Sequence, residues 1–194
     1  MRTASLEENE EDSQHLAELF EKIARQPQPL VAVVHGPAIA GGAGLAVACD
    51  ITLASEEARF GFTEVRIGFV PAIILNFLLR SVGEKTVRDL CLTGRILDAG
   101  EAAELGLISR VLPAAELESE VARLGEEIAR TSPGAVAATR ALIAELRHQP
   151  LEEGLRLAAM RNARARLTEE CREGVAAFLE KRKPQWDPTR EEKS

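Results

Sequence analysis

Apolar residues recur along this chain with two different periods. Leu16, Leu19, Phe20 and Ile23 fall at i, i+3, i+4 and i+7, the stripe of an amphipathic helix, and Pro27 and Pro29 predict its end. Residues 1–12 are polar and predicted to fray. The run 30–34 is continuously apolar and β-branched at Val31, Val33 and Val34, which predicts a buried strand of a largely parallel sheet. A small-residue helix is expected over 41–49, a second strand over 50–54, and a short extended piece at Phe60 and Gly61. Helical patterns follow over 73–80 and over 84–93, the latter carrying Val87, Leu90 and Leu92. Asp98-Ala99-Gly100-Glu101 has the form of a capping box opening another helix, which Gly106 ends before a brief strand at 107–111.

Beyond that point the pattern is helical throughout. Leu117, Val121, Leu124 and Ile128 share one face. Ser132-Pro133 makes an N-cap and first-turn pair for a helix with Val136, Leu142, Ile143 and Leu146. A further helix is predicted over 151–167. Thr168 caps a last one, with Glu169 and Glu170 in its first turn and an end near Arg182. The tail after Trp186 is charged and expected to be loose. The chain thus divides into an α/β part over 1–112 and a helical part over 113–194.

Composition narrows the function classes. The 194 residues suit one domain with a helical appendage. A formal charge of −7 and the lack of a long basic stripe predict no nucleic-acid partner. The acidic start without an apolar core predicts neither a secretory signal nor a transit peptide. No apolar stretch is long enough to span a bilayer. Cys49, Cys91 and Cys171 are odd in number and lack metal-ligand spacing, so all three read as small apolar residues in a reducing cytoplasm. No metal site is expected.

The candidate chemistry lies in Val33-Val34-His35-Gly36-Pro37-Ala38-Ile39-Ala40-Gly41-Gly42-Ala43-Gly44-Leu45 and in Glu64, twenty residues after Gly44. A strand enters a glycine-rich turn that opens into a helix. Such a turn leaves unpaired N–H groups at a helix N-terminus, able to hold charge developing on a carbonyl oxygen. Glu64 is a candidate to move a proton beside it. His35 reads as a structural histidine near the turn, and Arg66 as one half of a surface salt bridge.

Several blocks resemble the enoyl-CoA hydratase/isomerase family, the crotonase superfamily. They are P-L-V-A-V-V-H-G-P-A at 29–38, A-G-G-A-G-L at 40–45, A-C-D at 48–50, A-R-F-G at 58–61 and T-E-V-R-I-G-F-V-P-A at 63–72. The match continues with L-C-L-T-G-R at 90–95, A-A-E-L-G-L-I at 102–108 and G-V-A-A-F-L-E-K-R-K-P at 174–184. The resemblance implies a crotonase-like (ClpP/crotonase) α/β fold, with late helices that assemble trimers or hexamers. It implies an acyl-CoA thioester as substrate and no separate cofactor, CoA arriving with the acyl group. The Gly41 N–H maps to one oxyanion donor; a donor of this kind is typically worth about 3–4 kcal/mol of barrier. Glu64 maps to the acid/base. Gly42, Gly44, Pro71 and Ala72, with Ile73, map to the substrate's surroundings.

Two departures from the family pattern shape the expectation. Where two-glutamate hydratases carry their first carboxylate this chain has Gly44, as in a branch that resembles bacterial methylglutaconyl-CoA hydratases. Gly44 reads equally as helix packing or as room for substrate or water. Asn76 also departs from the usual residues. Secondly, full-length members begin with strands that carry the other oxyanion donor in an A-G-A-D-type turn. The chain is therefore expected to be N-terminally short, with residues 1–11 as the loop after that turn. The implied reaction is hydration of a 2-enoyl-CoA. The alternatives are double-bond isomerisation of an enoyl-CoA, and a truncated non-catalytic assembly partner.

Overall fold

The first helix begins earlier than its apolar period suggests. α1 runs over Leu6–Arg25 because Ser5 accepts from the Glu8 N–H at 3.2 Å while the Glu8 carboxylate accepts from the Ser5 N–H at 2.7 Å. This reciprocal cap satisfies two N-terminal donors and extends the helix into the polar stretch expected to fray as a loop. The computed structural model describes residues 4–190; residues 1–3 and 191–194 lie outside it. Two compact units form, one of residues up to 26 and 30–121, the other of residues 27–29 and 122 onward.

In the first unit, β1 (Val31–Val34), β3 (Ile51–Ser55) and β6 (Arg110–Leu112) form a parallel sheet in the order β1-β3-β6, with β2 (Pro37–Ile39) and β4 (Arg59–Gly61) intervening in the chain. β2, β4 and β5 (Ile96–Asp98) form a second sheet, parallel between β2 and β4 and antiparallel between β4 and β5. β1 is not buried as its apolar run suggests: it is an edge strand, and Val33 is 36% exposed. The buried strand is β3, whose Thr52, Leu53, Ala54 and Ser55 are all enclosed. β2 and β5 carry no readable period at three residues each.

The strand expected over 107–111 starts only at Arg110. Gly106, at φ +75, turns the chain after α5 (Ala99–Glu104). The Leu107 and Ile108 N–H groups still go back to Ala102 O, at 2.9 and 3.4 Å, so the ladder begins one residue later, with the Ser109 N–H on Thr52 O at 2.9 Å. The capping box at α5 is half formed. Asp98 accepts from the Glu101 N–H at 2.8 Å, but the Glu101 carboxylate takes Arg95 at 2.6 Å instead.

α2 (Gly41–Ala48), α3 (Ala72–Ser81) and α4 (Glu84–Thr93) complete the core around Phe60, Phe62, Leu78, Leu90 and Leu97, each wholly buried. Phe20 of α1, 2% exposed, meets Phe77 of α3 with ring centroids 5.1 Å apart and planes tilted at 47°. α6 (Ala114–Ala129) buries Leu117.

In the second unit, α7 (Pro133–Leu146) is capped by Ser132, and Glu170 of α9 (Glu169–Leu179) accepts from both Ser132 Oγ and the Gly134 N–H. Arg161 of α8 (Leu151–Ala165) pairs with Glu145 of α7. α9 stops at Leu179, short of Arg182, because Lys181 turns to φ +52. The tail is held as far as Arg190: Arg182 pairs with Glu173, Lys183 Nζ donates to Thr189, and the Trp186 ring lies 3.2 Å from where a Gly174 Cβ would stand. Among the described residues no helix is long and apolar enough to cross a membrane, and no His, Cys, Asp and Glu cluster could hold a metal.

The Phe20–Phe77 contact fastens α1 to the core. Phe20→Ala is expected to destabilise the protein by about 3–5 kcal/mol, measured by urea unfolding followed by far-UV circular dichroism.

Candidate functional site

The parallel pairing of β2 with β4 brings the two candidate groups to one end of a sheet. Ile39 is in register with Gly61, and the Ala40 N–H donates to Gly61 O at 2.7 Å. From there one strand turns into α2, and the other passes through Phe62 and Thr63 into a 3-10 helix, Glu64–Ile67. Two short parallel strands with a common register deliver their C-terminal turns side by side.

The turn into α2 depends on Ala40, which sits at φ 52, ψ −120. An L-residue there carries strain of about 1–3 kcal/mol. The kink breaks the backbone hydrogen-bonding direction at the helix start. Gly44 is the first residue of α2 whose N–H reaches a carbonyl of the turn, Ala40 O at 3.0 Å. No acceptor among the described residues meets the N–H groups of Gly41, Gly42 or Ala43. Gly41 and Gly42 are exposed, and nothing lies within 4 Å of where their Cβ atoms would be. The backbone is therefore open to a close approach from outside, with the positive end of α2 behind it.

Glu64 is 6% exposed, and its Oε2 has no hydrogen-bond partner among the described residues. It follows Phe60 and Phe62, both wholly buried, along the same segment. The last turn of α4 packs against this helix. There Cys91, 6% exposed, is near enough for the Glu64 charge to act on it: burial first, then the carboxylate, push its thiol up to about 11. An unpaired carboxyl oxygen in such surroundings is costly and is available to a proton or a polar ligand.

The other sequence-derived residues fall in different places. Gly44 is buried, and a Cβ on it would come within 2.6 Å of Ile74 Cγ1 and 2.7 Å of Ile74 Cδ1. Ile74 of α3 thus fills the space a side chain at 44 would need, which is the packing role of the two weighed. Pro71 is buried at the start of α3, Ala72 is exposed, and Ile73 faces an open groove of about 830 Å³ along α1, beside Leu6, Asn9, Glu10 and Ser13. His35 is exposed, its carbonyl accepting from Ser55 Oγ at 2.8 Å. Among the described residues Arg66 has no salt-bridge partner, where a surface pair was expected; its side chain lies over Gly94. Sequence reasoning missed Ala40, whose strain has no compositional signal, and treated Cys91 only as core filling.

Unpaired amides at a helix start and a buried carboxylate, carried at the same end of one sheet, suit a reaction in which an oxyanion develops while a proton moves. Comparison with known proteins identifies the family. Residues 1–189 match the enoyl-CoA hydratase/isomerase family profile. A Thermus thermophilus protein provisionally named an enoyl-CoA hydratase is 48% identical over 180 residues, 93% of this chain and 71% of that one. The crystal structure of a Mycobacterium smegmatis enoyl-CoA hydratase superposes with a TM-score of 0.90 at 32% identity, over 96% of this chain and 73% of that one. A Legionella pneumophila structure, provisionally titled an enoyl-CoA hydratase/isomerase (crotonase), gives 0.89 at 37% identity, over 96% and 72%. A Mycobacterium bovis relative is spanned over 65% of its length. The fold is the crotonase fold. The chain belongs to the enoyl-CoA hydratase/isomerase family of enzymes.

The Gly44–Ile74 contact makes its own prediction. Gly44→Ala is expected to destabilise by about 1–3 kcal/mol in thermal melts, the overpacking outweighing the better helix propensity of alanine.

Proposed function

We propose that this protein adds water to a 2-enoyl-CoA thioester. The observation that carries this reading is the β2–β4 pairing, which sets the open N–H groups of α2 and the buried Glu64 at the same sheet end. The Gly41 N–H holds the thioester oxygen, and Gly42 leaves room for its approach. Glu64 takes a proton from water as the water oxygen bonds to C3. The C2=C3 electrons move toward C1 and the thioester oxygen carries the charge. Glu64 then returns the proton to C2 as the carbonyl reforms. One carboxylate gives and takes the same proton, so no second acid is required. Pro71 and Ala72 border the acyl group. CoA arrives as part of the substrate and no further cofactor takes part.

Double-bond isomerisation is the second reading, and it too can run on Glu64 as the single acid/base, since Gly44 carries no carboxylate. Glu64 would then move a proton from C2 to C4 of a 3-enoyl-CoA. A non-catalytic assembly partner is the third reading. Homotrimers or hexamers are consistent with the exposed apolar residues Leu151, Leu155, Phe178 and Leu179 on α8 and α9.

With a 2-enoyl-CoA, 3-hydroxyacyl-CoA should accumulate, as followed by chromatography; migration of the double bond without hydration would transfer the assignment to isomerisation. Glu64→Gln is expected to lower kcat on the order of 10²–10⁴-fold. Calorimetric titration with an acyl-CoA separates both enzyme readings from the assembly partner, which would release no heat.

A further inference from the structure

The block L-C-L-T-G-R at 90–95 takes no part in the chemistry above, yet it meets the segment that bears Glu64. Gly94 ends α4 at φ +62, with its N–H on Leu90 O at 3.0 Å, and it is buried. A Cβ built on it would stand 3.2 Å from Arg66 Cγ, 3.3 Å from Arg66 Nε and 3.3 Å from Val65 Cγ2. Val65 and Arg66 are the two residues that follow Glu64. One helical turn before Gly94 comes Cys91, the residue within electrostatic reach of Glu64. The last turn of α4 therefore seats the 3-10 helix directly.

That helix is four residues long and has little of its own to hold it. Its closing bonds are the Arg66 N–H on Thr63 O at 2.9 Å, the Gly68 N–H on Val65 O at 3.3 Å and the Phe69 N–H on Glu64 O at 3.0 Å. Its position is set by what it packs against. The backbone angle at residue 94 would admit asparagine as well as glycine. The contact with Arg66 and Val65 is tight for any Cβ, which would make these neighbours give by a few tenths of an ångström.

We propose that Gly94 is a positioning residue for Glu64, its missing side chain letting the 3-10 helix settle on α4 at the depth the carboxylate needs. This rests on the acid/base reading of Glu64. A displacement of about 1 Å at a reacting group costs on the order of a hundredfold in rate.

The test compares Gly94→Ala, Gly94→Asn, Arg66→Ala and the double variant Gly94→Ala/Arg66→Ala on an enoyl-CoA substrate. Gly94→Ala and Gly94→Asn should lose about ten- to a hundredfold in kcat, with KM within about twofold of the parent. Arg66→Ala removes the Cγ and Nε atoms that a Cβ would strike and sets the baseline for the double variant, which should return to within about threefold of it. Asparagine tolerates the left-handed region and keeps the test open if the alanine variant does not fold. Equal losses in Gly94→Ala and the double variant would show that the Arg66 contact does not carry the effect and would overturn the proposal.

A second readout does not need turnover. Peptide-resolved alkylation of Cys91 at about pH 9.5 should quicken in Glu64→Gln, where burial still raises the thiol but the carboxylate's smaller share is gone. Gly94→Ala should move toward that rate, with Cys171 as the internal control. An unchanged Cys91 rate in Gly94→Ala sinks the positioning role even where Glu64 is essential. Undiminished turnover in Glu64→Gln sinks the functional reading instead.

Discussion

One hydrogen bond organises the site: the Ala40 N–H on the carbonyl of Gly61, 2.7 Å long. It is the last rung between two parallel strands, and everything with chemical potential lies just past it. On one side the chain bends through Ala40 and begins α2 with its first amides uncommitted. On the other it passes two buried phenylalanines and delivers Glu64. Parallel strands run their turns out at the same edge, so a single register serves both groups. Gly61 makes that register tight, since a Cβ there would be 3.2 Å from Ile96, 3.3 Å from Thr63 and 3.4 Å from Ile39.

Three unfavourable features gather within a few residues of this rung. Ala40 holds a backbone conformation that L-residues avoid, and among the described residues the amides of Gly41 and Gly42 lack partners and one oxygen of Glu64 is buried without a donor. Local energy minimisation would remove all three. They persist because the surroundings are over-determined: Phe60 and Phe62 fix β4 in the core, Ile74 presses on Gly44, and α4 backs the 3-10 helix. Strain and unmet polar groups concentrated on a rigid frame are what an anionic intermediate and a mobile proton require.

Much of this was legible in the residues. The small-residue helix over Gly41–Ala48 sits where its pattern put it, as do the helices over Glu84–Thr93 and Pro133–Leu146. What was not legible has physical causes. β2 and β5 are too short to display a period. α1 starts at Leu6 because of a reciprocal cap between Ser5 and Glu8, a local bond that overrides the polar composition around it. The exposure of β1 depends on which strands flank it, and Ile74 covers Gly44 across thirty residues of chain. Such long-range contacts leave no trace in spacing. The seat of Arg66 on Gly94 is of the same kind: an expected ion pair gave way to a steric fit.

The tail that folds back on α9 has a spectroscopic consequence. Trp186 is the sole tryptophan, the chain has no tyrosine, and the indole rests against Gly174 in the second unit. Ultraviolet emission excited at the indole band therefore reports the environment of that helix and its tail alone. The unit holding Glu64 is optically silent in this channel, with phenylalanine its only aromatic residue type. In one unfolding experiment an emission trace follows the second unit and an ellipticity trace follows the helices of both, so a gap between them shows the two parts coming undone separately.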